Sequence, residues 1–153
     1  MRLTQHTDYA LRLLISLAVA TDERQTIEAI ARRHDISRNH LMKVTQTLTQ
    51  AGFVDGTRGR KGGIALARPA EAICLGAVVR ACEDNFSLVE CFDAERNRCL
   101  FTPVCGLRGP LEEALLAFLA VLDRYTLADL VRRPGQSEAL RNFLFPPEDS
   151  LTA

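Results

Sequence analysis

Between Thr7 and Ala20 the apolar residues Ala10, Leu13, Leu14, Leu17 and Ala18 recur at three- and four-residue steps. That spacing lines one face of an α-helix and predicts a helix here. A second helix is expected over "IEAIARRH", Ile27 to His34, and "DIS" then turns the chain. Ser37 can cap a third helix, "RNHLMKVTQTLTQA", which Gly52 ends as a left-handed residue. In this pair Ala29, Ile30, Ile36, Leu41, Val44 and Leu48 face inward. The period then changes. "FV" and "IALA" flank a segment with four glycines and three cations, as expected for a two-stranded ribbon with a basic tip.

Further on, "LGAVVRAC", Leu75 to Cys82, reads as a fourth helix. "PLEEALLAFLAVLDRYTLADLVRR" reads as a long helix broken near Tyr125 and resumed behind Thr126. Nine consecutive residues in it, Ala114 to Leu122, are apolar. Such a run leaves no polar face over about two and a half turns and must be covered on most sides. A short chain has little to cover it with, so a homodimer through this helix is expected, the alternative being burial within one subunit. The fold class that follows is mainly α with a small β wing: a winged helix-turn-helix plus a long dimerisation helix. The expected division is 1–70 for DNA binding, 71–133 for a cysteine loop and the dimerisation helix, and 134–153 as a tail. The tail is polar apart from "LRNFLF" and is assigned no function.

Charge sharpens the reading. The chain of 153 residues is 47% hydrophobic, 25% charged and neutral overall. Residues 1 to 70, however, carry 11 Lys/Arg against 6 Asp/Glu, and the remainder carries 8 against 13. A basic front half fits a polyanion partner, because neutralising phosphates takes local positive charge. The second helix of a helix-turn-helix enters the major groove with its N-terminal residues. Here those are Arg38, Asn39, His40 and Lys43, with Ser37 and Arg33 beside them. Arg and Lys suit guanine, Asn suits adenine, and any of them can hold phosphate. His40 could equally be a surface residue, and Arg33 with His34 could simply end its helix favourably. On the ribbon tip, Arg58, Arg60 and Lys61 can reach phosphates or the minor groove. Two such units about a two-fold axis would read an inverted repeat in a double-stranded operator.

Other classes fall away. "LLISLAVA" imitates a secretory signal, but Asp8 and Arg12 interrupt it and the surviving apolar run is too short to cross a bilayer. A cytoplasmic protein without a membrane partner is expected. No phosphate-binding loop, dinucleotide fingerprint, nucleophile elbow or HExxH is present, and an enzyme is not expected.

Five cysteines remain. Cys74 and Cys82 bound an apolar helix and read as small hydrophobes. Cys91, Cys99 and Cys105 form C-x7-C-x5-C in a polar segment bent by Pro103 and Gly106, with Arg96, Arg98 and Arg108 nearby. Reduced thiols in that setting suit zinc, a disulfide switch or an iron-sulfur cluster. The spacing permits each.

"MRLTQHTDYALRLLISLA", "ISRNHLMKVTQTLTQAGFVDGTRGRKGGIALARP", the three-cysteine loop and "FLAVLDRYTLADL" together resemble the NsrR group of nitric-oxide-sensing repressors. That group belongs to the winged-helix iron-sulfur regulators, which also include IscR. The resemblance runs from Met1 to about Val131. It implies a homodimer holding an iron-sulfur cluster, 4Fe-4S favoured and 2Fe-2S possible, through Cys91, Cys99, Cys105 and Asp8 from the other subunit. "GLRGP" after Cys105 offers no histidine where IscR-like proteins place a ligand, which favours the NsrR branch. Nitric oxide reacting at such a site would free Asp8 and release DNA. Arg12, one turn beyond Asp8, is then the expected switch partner for the freed carboxylate. The alternatives are an IscR-like 2Fe-2S homeostasis or redox regulator and a zinc or thiol-switch DNA-binding protein.

Overall fold

The computed structural model describes residues 2–20, 24–57, 59, 62–132 and 135–145. Seven helices and one hairpin follow in the order α1 (Gln5–Val19), α2 (Ile27–His34), α3 (Arg38–Gln50), β1 (Val54–Thr57), β2 (Gly63–Leu66), α4 (Leu75–Cys82), α5 (Arg108–Asp123), α6 (Leu127–Val131) and α7 (Gln136–Leu144). Short 3-10 turns at Ala70–Ala72 and Glu90–Phe92 flank α4. The chain is therefore mainly α with a small β wing.

Cap chemistry sets the helix starts. The side chains of Thr4, Thr26 and Ser37 accept from the backbone N–H groups of Thr7, Ala29 and His40, meeting donors a helix leaves unpaired. Thr126 and Asp129 form a reciprocal capping box that restarts the helix after the break at Tyr125. Between α2 and α3, Asp35 takes the left-handed conformation, φ 51°, and Gly52 does so after α3 at φ 73°. These tight ends fix the helix-turn-helix.

The core forms where α1 lies across α3, α4 and α6. Ala10, Leu13 and Leu14 of α1 meet Ile30, Leu41, Val44 and Leu48, with Ile73, Val78 and Leu127 beneath. Fully burying each leucine or isoleucine contributes about 1.5–3 kcal/mol, so one core couples the DNA-reading helices to the C-terminal half. Ala18 and Ala29, expected inside, are only half-buried, because each sits at the flank of its helix's apolar stripe.

The hairpin pairs antiparallel, Val54 with Leu66 through Thr57 with Gly63. Gln25, in the α1–α2 connection, adds an antiparallel bridge to Ile64 on the outer side of β2. At the other end, Cys74 bridges Thr126, and Gly76 lets α5 close onto α4: a Cβ there would collide with Asp123 Oδ1. The Arg80 guanidinium holds that carboxylate through two bonds of 2.6 Å and keeps it below the usual carboxylate range.

Helix α5 is the apolar helix of the sequence, yet of its nine-residue run Leu119 alone is buried, while Leu116 is 61% exposed. Among the described residues no helix is long and apolar enough to cross a membrane. Helix α7 forms where "LRNFLF" promised only local packing. It docks on α1 and α6 through Leu144, Val19 and Val131.

Candidate DNA-binding face and cysteine loop

Arg38, Asn39, Met42, Lys43, Gln46 and Thr49 are exposed along one side of α3 at helical spacing. The expected residues Arg38, Asn39 and Lys43 lie on this face, and Ser37 caps it. Arg38 pairs with Glu28 of α2 at 3.3 Å. His40, expected to be exposed, is instead half-buried: its ring meets Tyr9 of α1 edge-on at 4.8 Å between centroids, with His6 at 6.3 Å. The cause is its place beside Leu41, on the flank that turns toward α1. Arg33 donates to Gln25 Oε1 at 3.0 Å and lies 4.0 Å from the Phe145 ring centroid. Arg58, Arg60 and Lys61 lie outside the described residues.

Between α3 and the hairpin runs an open groove of about 530 Å³, lined by Arg38, Met42, Gln46, Thr49, Gly56 and Gly63 among others. Met42, Gln46 and Thr49 escaped the sequence reading, which stopped at the helix N-terminus. Their spacing from Arg38 was the signal for them.

Asp8 is held by Arg12, Nε to Oδ1 at 3.1 Å and Nη2 to Oδ2 at 2.7 Å, both side chains nearly half exposed. One turn further, Ser16 donates its hydroxyl proton to the Arg12 carbonyl at 3.0 Å. A hydroxyl has one proton, so the 2.7 Å contact from Ser16 Oγ to His34 Nε2 is a bond that His34 donates. Burial, then Arg12 and Arg33, lowers the His34 pKa, and Asp8 opposes them.

The cysteine loop is organised by polar turns. Asp93 Oδ1 accepts from the N–H groups of Glu95 and Arg96, Asn97 Oδ1 accepts from that of Cys99 at 3.0 Å, and Thr102 Oγ1 donates to the Cys99 carbonyl at 2.8 Å. Glu90 Oε1 accepts from the N–H of Arg98. Cys91, Cys99 and Cys105 are free thiols, each half-buried. Leu100, Phe101 and Val104 between them are 92%, 72% and 85% exposed, so apolar packing does not define this loop. The helix-bounding cysteines differ. Burial pushes the Cys82 thiol up to about 11, and Cys74 Sγ donates to Asp123 Oδ1 at 3.6 Å.

The donor set fits a cysteine-ligated metal centre in kind: three soft, unbridged thiols in a loop whose local bonds leave the sulfurs uncommitted. Among the described residues, no three His, Cys, Asp or Glu side chains of one chain gather around a common metal position. The three loop thiols therefore do not converge on one position in this structure, and Asp8 lies on α1 paired with Arg12.

A helix-turn-helix, a β-ribbon behind its second helix and a helix with an unburied apolar face define a winged-helix transcriptional regulator. The sequence model of Rrf2, an iron-dependent transcriptional regulator, matches residues 3–133, and the chain belongs to that family. It is similar to the HTH-type transcriptional regulator NsrR of Bacillus subtilis, 56% identical over 133 residues, 86% of this chain and 91% of the relative. The NsrR regulator of Halalkalibacterium halodurans is 48% identical over 141 residues, 92% and 97% of the two chains. Among solved structures, CymR, the global cysteine regulator of B. subtilis, superposes with a TM-score of 0.68 at 27% identity, covering 85% of this chain and 95% of that one. The chain is therefore a transcriptional regulator and not an enzyme, and DNA is the partner its family implies.

Proposed function

We propose that this chain is a cytoplasmic, DNA-binding repressor that senses nitric oxide through an iron-sulfur cluster, 4Fe-4S in preference to 2Fe-2S. The observation that carries the reading is the set of three free, half-buried thiols in a loop held by side-chain turns rather than by core packing. Cys91, Cys99 and Cys105 would hold the cluster, with Asp8 supplied by a second copy of the chain. The three thiols of one chain do not yet gather around a common position, so the loop would close on the cluster as it binds. The exposed apolar face of α5 supports the homodimer that this requires. When bound, the cluster supplies iron that reacts with nitric oxide, and its one oxygen ligand is the weakest corner.

The protein's own residues do the rest. Arg12 is already within bidentate reach of Asp8 and would keep the carboxylate once it is free, favouring the state that does not bind DNA. Tyr9, next to Asp8, packs on His40 at the start of α3, so a shift of the first turns of α1 bears directly on the reading helix. Operator contacts are proposed for Ser37, Arg38, Asn39 and Lys43, for Arg33 at the end of α2, and for Arg58, Arg60 and Lys61 on the wing, while His40 seats α3 against Tyr9. In this scheme 1–70 reads an inverted repeat, and 71–133 carries the cofactor and the dimer contact.

Anaerobic purification tests this. Brown protein with iron and sulfide, a Mössbauer spectrum that assigns nuclearity, and operator binding lost on nitric oxide addition are expected. Colourless protein with zinc, or a reversible disulfide and no iron, would overturn the reading in favour of a zinc or thiol switch. A 2Fe-2S spectrum with nitric-oxide-insensitive binding would favour an IscR-like regulator.

A further inference from the structure

We propose that α7 is a positioning element for the wing, acting through a relay in which Phe145 holds Arg33, Arg33 holds Gln25, and Gln25 holds β2. Helix α7 begins at Gln136, beyond residue 133 where the family match ends. The proposal rests on the DNA-binding reading alone and needs neither the cluster nor nitric oxide.

The relay starts at the wing. Gln25 is only 5% exposed, and its backbone exchanges two bonds with Ile64, N to O at 2.9 Å and O to N at 2.8 Å. Ile64 stands opposite Gly56, one pair from Thr57–Gly63, the last before residues 58–62. The grip is therefore on the last described pairs of the ribbon, at the end from which the chain enters residues 58–62. Gly63 is required for it: a Cβ there would stand 2.9 Å from the Gln25 carbonyl oxygen, closer than a carbon can approach without movement. Arg24 braces both strands, donating to the Gly63 carbonyl at 3.2 Å and pairing with Asp55 at 2.7 Å.

One of the contacts on the Gln25 side chain leads, through Arg33, to the other end of the chain. A buried amide must bond to stay buried, and its Oε1 accepts from Arg33 Nη1 at 3.0 Å. The Arg33 guanidinium lies 4.0 Å from the centroid of the Phe145 ring, well inside the roughly 6 Å over which a cation is attracted to an aromatic face. Phe145 directly follows α7, which is seated on α1 by Leu144 and Val19. Arg141 donates to the Val19 carbonyl at the end of α1 at 3.3 Å.

The test uses the full chain and a duplex selected by the wild-type protein from a random pool. Phe145→Leu keeps an apolar side chain on α1 and α6 but removes the ring, and neither residue carries charge, so the substitution itself deletes no phosphate contact; an effect through Arg33's own operator contact is separated by the cycle below. Weakening of duplex binding by about two- to five-fold is expected, the size an aromatic–guanidinium contact supports. Thermal midpoint, dimer state and visible absorption per chain should stay as in wild type. The decisive measurement is a double-mutant cycle with Arg60→Ala: once the wing contact is gone, Phe145→Leu should have no further effect. Wild-type affinity in Phe145→Leu, or full additivity with Arg60→Ala, overturns the relay. A wild-type chain that selects no duplex would overturn the DNA reading, and the relay with it.

Discussion

Arg12→Ala isolates the proposed switch pair. The pair joins residues one turn apart on α1 through two contacts, and both side chains are nearly half exposed. Solvent screens an ion pair so placed, and pairs of this spacing contribute about 0.3–0.5 kcal/mol. At about 1.4 kcal/mol per factor of ten, the equilibrium between DNA-binding and non-binding states can move only about twofold on its loss. If the pair favours the non-binding state, cluster-free Arg12→Ala binds operator about twice as tightly as cluster-free wild type, and its nitric oxide response is smaller by the same factor. Fluorescence anisotropy on matched cluster-free and cluster-loaded samples reads this difference. The thermal midpoint should fall by no more than about 2 °C, since so little free energy is involved. Unchanged binding and response would remove the role. Weaker binding would show that Arg12 touches phosphate instead, and a tenfold change would exceed anything this exposed pair can hold.

Acid should destabilise the protein through His34. Its pKa is lowered in the fold, so its contribution is whole above about pH 6.5 and is lost as pH falls through the folded value. Thermal midpoints from pH 7.5 down to 5.5 should therefore decline, and His34→Gln should flatten the decline; an equal slope in the variant would refute the assignment. Arg12→Ala should shrink the same slope only in part, because burial, the leading cause, remains. For the thiols, Cys99→Ser should abolish iron and sulfide retention whereas Cys82→Ala retains both; the raised Cys82 pKa, about 11, should also make it slow to alkylate relative to the loop. Leu116→Glu, on the exposed side of α5, should give monomers by sedimentation with little change in helix content; a persistent dimer would place the interface elsewhere.

Sequence by itself determined the elements and the kinds of donor. Apolar spacing located α1 to α5, Ser37 and Gly52 marked the ends of α3, and Thr126 marked the restart at α6. These signals are local: helix periodicity and end caps involve residues within one turn of each other. The three loop thiols were likewise legible, because polar surroundings and bends argued against core cysteines. Tertiary structure decided what depends on distant residues meeting. Gln25 became an outer rung on the wing because Gly63 lets the backbones approach, 38 positions along the chain. His40 turned from the reading face toward α1 because Tyr9 offered its ring, and Arg33 took Gln25 and Phe145 as partners. Helix α7 carries a short mixed sequence, so the surface it covers on α1 and α6 selects its seat. Periodicity records which face of an element is apolar; only the assembled fold records what that face, or a polar side chain beside it, finally touches.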